Sequence, residues 1–194
     1  MIRKHIQKSI EIRNSMLDTI TGDIEKAGKI IIETYKAKGK LLACGNGGSA
    51  ADAQHIAAEL LIRFKGDHIR PSLPALSLAS DSSVITAAGN DFGADYIFSR
   101  QIEGLGKPED CLLAITTSGN SPNILHALQA AKKHQLKTIL LTGRTGGNLL
   151  KDHGDILDAV VCIPADETAH VQEAHIMTGH LLCSMIEKEL FNLG

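Results

Sequence analysis

With 194 residues, 43% hydrophobic, 22% charged and a formal net charge of −2, the chain has the balance of one soluble globular domain with room for a substantial core. The near-neutral charge gives no general electrostatic reason for a nucleic-acid or membrane partner, and the lack of Trp, with aromatics at 3%, argues against a lectin-like stacking platform. The four cysteines, Cys44, Cys111, Cys162 and Cys183, contain no CxxC pair and read as reduced, buried thiols. A charged N-terminus without a secretory apolar core, and no apolar stretch near ~20 residues, make the cytoplasm the expected location.

The first predicted element is helical. Ile6, Ile10, Ile12, Met16, Leu17 and Ile20 recur at helical spacing, and the pattern resumes at Ile24, Ala27, Ile30, Ile31 and Tyr35. The spacing predicts helix over 3–37 with a break at Thr21-Gly22-Asp23, where Thr21 or Asp23 can cap the second segment. Such an extension, placed ahead of any strand, packs on its own domain or on a partner subunit.

After Gly39 come five short apolar runs, at 40–45, 74–79, 111–117, 138–143 and 159–164. Most are continuous in Leu, Ile, Val and Ala, as expected of parallel strands buried on both faces. Between them the pattern predicts helices at 49–64, 82–103 (broken around 89–93), 121–134 and 147–153, with a long helix at 168–191. This alternation predicts an α/β fold, a three-layer αβα sandwich on a five-stranded parallel sheet, with 1–194 as a single domain. Ligands of such folds bind outside the carboxyl ends of the strands, so the loops after the first and third strands are the candidates.

Both loops suit an anion. The first strand runs into Gly45-Asn46-Gly47-Gly48-Ser49 and then a helix, which offers close backbone approach and oriented N–H donors. It is neither a Rossmann nor a P-loop fingerprint, and a tight strand-to-helix turn without a ligand is an equal reading. The third strand ends in Thr116-Thr117-Ser118-Gly119-Asn120-Ser121, followed by Pro122. Ser121 can serve as an N-cap, but hydroxyls gathered where a strand meets a helix favour phosphate.

His55, Glu59 and Arg63 follow at successive i, i+4 spacings and share one face of the first crossover helix. The last helix carries Gln172, Glu173, His175 and His180. Solvated faces with a Glu59–Arg63 ion pair explain the spacing as well. Aldose–ketose isomerisation would use both helices together, because it needs a base, a proton donor and stabilisation of an enediolate oxygen. Two imidazoles, a carboxylate and an amide oxygen also form a plausible donor set for Zn²⁺.

Four segments, LLACGNGGSAADAQHIAAELLIRF, SLASDSSVITAAGNDFGADYIFSRQIE, AITTSGNSPNILHAL and ETAHVQEAHIMTGHLLCSMIEKELF, resemble the phosphoheptose isomerase family of sugar isomerase (SIS) domains. The resemblance spans about 40–191 and implies a flavodoxin-like fold. It implies conversion of sedoheptulose 7-phosphate to D-glycero-D-manno-heptose 7-phosphate, toward ADP-heptose or GDP-heptose precursors of lipopolysaccharide or related polymers. It implies a homotetramer with active sites between subunits, and one Zn²⁺ per subunit held by His55, Glu59, Gln172 and His180. Glu59 and His180 would be the acid/base pair. Substrate contacts would come from Asn46, Gly47, Gly48, Glu59, Arg63, Asn90, Asp91, Thr116, Thr117, Ser118, Ser121 and Gln172. Ala169 stands where some members carry Asp, and His170 where the family often has another basic residue. Two further readings share these loops: a non-catalytic SIS protein that assists the bacterial replication initiator, and an isomerase of a different sugar phosphate.

Overall fold

The computed structural model describes residues 1–193. Two helices, α1 (Ile2–Thr19) and α2 (Thr21–Lys36), precede the sheet and meet at Ile20. The break falls just before the predicted tripeptide, and neither Thr21 nor Asp23 caps α2. The Thr21 hydroxyl instead donates back to the Leu17 carbonyl. Backbone continuity carries the junction, since Ile20 N–H bonds Met16 O and Ile20 O accepts from Ile24.

The alternating portion then runs β1 (Leu41–Gly45), α3 (Gly48–Leu61), β2 (Ala75–Ser77), α4 (Ser82–Phe92), α5 (Ser99–Leu105), β3 (Cys111–Ile115), α6 (Pro122–Lys133), β4 (Lys137–Gly143), α7 (Gly147–His153), β5 (Ala159–Ile163) and α8 (Thr168–Phe191). All four strand pairings are parallel, in the order β2-β1-β3-β4-β5. That is the flavodoxin-like order, with its switch point between β1 and β3. The predicted fold class is therefore observed, including the helix break between α4 and α5.

Strand periodicity of two distributes the core into two layers. Leu41, Ala43, Leu113, Ile115, Ile139, Leu141 and Val161 face the side covered by α2, α3 and α8. Leu42, Cys44, Leu112, Ala114 and Leu140 face the side covered by α5, α6 and α7. Both faces being dry, each strand keeps an almost unbroken apolar run. Cys44, Cys111 and Cys183 are buried free thiols, and burial pushes each up to about 12. They act as small hydrophobes.

Two buried polar groups tie α8 to the rest. Glu187 accepts from Arg70 Nε and meets His68 Nδ1, both at 2.8 Å, and both ionic side chains of the Arg70–Glu187 pair are only 1% exposed. Arg70 also donates to the carbonyls of Glu59 and Leu60, at 2.8 and 2.9 Å. Those are last-turn carbonyls of α3, which have no partners within the helix. Here lies the reason that α3 ends at Leu61, and Arg63 lies beyond it on exposed chain.

His175, fully buried, bonds the Thr142 carbonyl through Nε2 at 3.0 Å, while Nδ1 has no partner among the described residues. Burial lowers its pKa to about 4, against the opposing effect of the Thr142 bond. A depressed pKa means that the unfolded chain binds the proton more readily, so this contribution to stability is complete above ~6.5 and is lost toward about 4. Denaturation midpoints should therefore fall across that window, and less steeply in His175→Gln, whose amide can keep the Thr142 bond. An unchanged slope in the variant would assign the acid sensitivity to other groups.

Candidate active site

The two predicted loops converge. After β1 the chain turns through Gly47, at φ +56°, which occupies the N-cap of α3. After β3, Ser121 occupies the N-cap of α6 and Pro122 its first turn. Ser121 makes no side-chain cap bond, and its hydroxyl instead lies 3.3 Å from Thr116 Oγ1. The capping role allowed by the sequence is thus unused, which leaves the hydroxyl facing the cleft between the loops. That cleft encloses about 330 Å³, with Asn46, Gly47 and Gly48 on one side and Thr116, Thr117, Ser118 and Ser121 on the other. Thr168 and Gln172, from the first turns of α8, complete it. Gln172 lies directly over Gly48, where a Cβ would fall 2.4 Å from its Nε2.

Two helix N-termini and several hydroxyls around one small space suit an anion, because orphan N–H groups and dipole ends gather there. The loops are locked to one another. Asn46 and Asn123 exchange reciprocal amide bonds of 2.9 Å across the cleft mouth. Gly119, at φ +66°, packs so closely that an added Cβ would fall 1.9 Å from Gly146 O. Gly119→Ala should therefore displace the Thr116–Ser121 segment, raising KM for a phosphorylated substrate more than it lowers thermal stability. Unchanged kinetics would detach this loop from substrate binding.

The second group sits on α3 and α8. His55 Nε2 lies 3.0 Å from His180 Nε2 and 3.4 Å from Glu59 Oε1. The Glu59–Arg63 ion pair of the competing surface reading does not form among the described residues; Glu59 pairs with His55 instead. Glu59 is 20% exposed at the side chain and His55 47%, so the carboxylate is the more sheltered of the two. The Phe64 ring, 5.6 Å from that of His180, covers one side. Asp52, one turn before His55, has a buried Oδ2 without a partner among the described residues. Burial holds its carboxyl above the ordinary range, partly offset by His55.

His55 Nε2 approaches both an imidazole nitrogen and a carboxylate oxygen, donor types that suit a borderline cation, although the three groups do not all converge within 4.8 Å of one another. Gln172 stands on the cleft wall, two turns of α8 before His180. Asn90 and Asp91 end α4 on exposed surface, where Asn90 Nδ2 donates to Asp91 Oδ1 at 2.8 Å. Neither they nor Arg63 line the cleft of the single chain. Sequence reasoning missed Asn123 and Thr168; the residue after Pro122 and the first residue of the last helix were the available signals.

Comparison with known proteins agrees with this architecture. Residues 4–143 match the SIS domain family. A relative from Leptospira biflexa, named phosphoheptose isomerase, is 45% identical over 193 residues, covering 100% of this chain and 97% of the relative. A phosphoheptose isomerase structure from Francisella tularensis superposes with a TM-score of 0.91 at 37% identity, over 97% of both chains. The phosphoheptose isomerase GmhA from Neisseria gonorrhoeae gives 0.88 at 38% identity, over 96% of this chain and 97% of that one.

Proposed function

The chain belongs to the SIS domain family and, within it, to the phosphoheptose isomerases, and from that premise we propose that it converts sedoheptulose 7-phosphate to D-glycero-D-manno-heptose 7-phosphate. The observation that carries this reading is the pairing of a cleft lined by helix N-termini and hydroxyls with an imidazole–carboxylate group on one of the same helices, α3. His55 lies about 10 Å along α3 from the glycine loop at its start. That distance suits a substrate whose phosphate and carbonyl stand at opposite ends of an extended sugar.

In the proposed mechanism the cleft amides and the hydroxyls of Thr116, Thr117, Ser118 and Ser121 bind the phosphate. Glu59 removes the proton from the carbon next to the carbonyl and returns it to the neighbouring carbon, and His180 supplies and recovers the oxygen proton. Their mutual approach through His55 fits this division. His55, Glu59, Gln172 and His180 would hold Zn²⁺, which when bound polarises the substrate oxygens and stabilises the enediolate charge. His180→Gln should lower both zinc retention and turnover, and retention of both would remove it from the site.

Arg63, Asn90 and Asp91 enter the proposal as contacts completed in a homotetramer whose active sites lie between subunits. The outward face of α1 supports an oligomer, because Ile2, Ile6, Ile10 and Leu17 are all exposed. Among the described residues no helix is long and apolar enough to cross a membrane. A cytoplasmic enzyme supplying heptose for lipopolysaccharide or related polymers completes the reading. The deciding experiment is mass-balanced conversion of sedoheptulose 7-phosphate by metal-defined protein, with hexulose and amino-sugar phosphates as competitors. Turnover of one of those in its place would keep the isomerase and change the sugar. Capture of the replication initiator without any turnover would favour the non-catalytic alternative.

A further inference from the structure

We propose that the chain carries a second divalent-metal site, built from His5 of α1 with Glu167 and His170 at the start of α8. One donor atom from each of these residues lies within 4.8 Å of the other two. The site shares no ligand with the His55–Glu59–His180 group. It is also turned away from the phosphate cleft, because His170 and the cleft residue Gln172 are roughly 200° apart around α8.

What distinguishes this cluster from a chance surface grouping is the way its imidazoles are held. His170 is 4% exposed, and its Nδ1 lies 3.2 Å from the hydroxyl of Ser9, one turn after His5 on α1. Ser9 donates its own proton to Glu173 Oε2, so it can accept from His170 Nδ1–H. That arrangement leaves the lone pair of His170 on Nε2, which lies 3.6 Å from Glu167 Oε2. His5 donates through Nε2 to Glu173 Oε1 at 2.7 Å, which leaves its lone pair on Nδ1. Each imidazole thus has one nitrogen fixed by a hydrogen-bond partner and the other unspent, the usual outer arrangement of metal-binding histidines. The two rings stack with centroids 4.1 Å apart.

Glu167 is equally uncommitted. It occupies the N-cap of α8 without making a cap bond. Two imidazoles and a carboxylate select a borderline ion such as Zn²⁺ over Mg²⁺ or Ca²⁺, which prefer all-oxygen sites. A bound ion would join α1 to α8 and so tie the helical extension to the main domain.

The test uses full-length protein carrying His55→Ala and His180→Ala, so that its outcome does not depend on the proposed catalytic zinc. Metal-stripped protein is dialysed against zinc and its metal content measured, with cobalt absorption as a second readout. The expected result is one equivalent of zinc in this background, lost on adding His5→Ala or Glu167→Ala, with zinc raising the unfolding temperature only while both remain. His5 and Glu167 are 41% and 69% exposed at the side chain, so both substitutions spare the core. Absence of zinc from the background protein, or zinc retained unchanged in both added variants, would overturn the proposal.

Discussion

Glu59→Gln should lower turnover of sedoheptulose 7-phosphate by at least ~10²-fold, the lower range for loss of a general base, while leaving the fold intact. The substitution keeps the shape of the side chain, so packing against α8 should survive. Glutamine retains a carbonyl oxygen that can still approach His55 but cannot carry a proton between carbons. Substrate KM should therefore change far less than kcat, because the proposed mechanism holds the phosphate in the cleft formed by the two loops. Exchange of the substrate carbon-bound proton with solvent should fall in parallel. Near-normal exchange would sink the assignment of Glu59 as base, whatever happened to metal content.

The largest stability effect is expected at Arg70. Arg70→Ala should cost about 3–5 kcal/mol in urea or thermal unfolding, the range for removing one partner of a buried ion pair. It would strand Glu187 without its guanidinium, free the carbonyl of Glu59 and leave that of Leu60 with the Leu73 N–H alone. Arg70→Lys should recover little, since an ammonium cannot reproduce a fork that serves a carboxylate and the three carbonyls of Glu59, Leu60 and Pro71. Replacing both partners, Arg70→Met with Glu187→Leu, should restore part of the stability because no charge is then left buried and unpaired. Burial pushes the Glu187 carboxyl up, yet bonds from His68 and Arg70 hold it below the ordinary range. With its pKa depressed by folding, the carboxylate stabilises the protein above the unfolded value, and that contribution is lost as pH falls through the folded one. A loss under about 1 kcal/mol for Arg70→Ala would mean that water or another side chain takes over the freed groups.

The layered fold was legible because its physical demands are local. Strands dry on both faces require unbroken apolar runs, and residues 111–115 or 159–163 show these without reference to anything distant. The loop glycines and hydroxyls were legible for the same reason: chain geometry at a strand-to-helix turn dictates them. What could not be read was which helix faces which. His55 and His180 are 125 residues apart, and no periodicity encodes their 3.0 Å approach. Family resemblance supplied that pairing. Arg63 was assigned to α3 because i, i+4 spacing continues through it, but a residue further along, Arg70, takes the helix's last carbonyls and ends it. The break before α2 was displaced for a related reason, since backbone bonds, and no cap side chain, define it.

The packing of α3 on α8, which carry the proposed pair Glu59 and His180, has a consequence for the timing of activity. One helix follows the first strand and the other follows the fifth, so the two meet on one face only once β1, β3, β4 and β5 have joined. Closing so long a loop is entropically slow, and a parallel sheet offers few local contacts to repay it early. No fragment lacking α8 should show even residual turnover. During refolding, catalysis should return with the slowest structural phase, and on gentle denaturation it should vanish as soon as α8 lifts from α3. Enzymatic activity is thereby a gauge of the docking of a single helix.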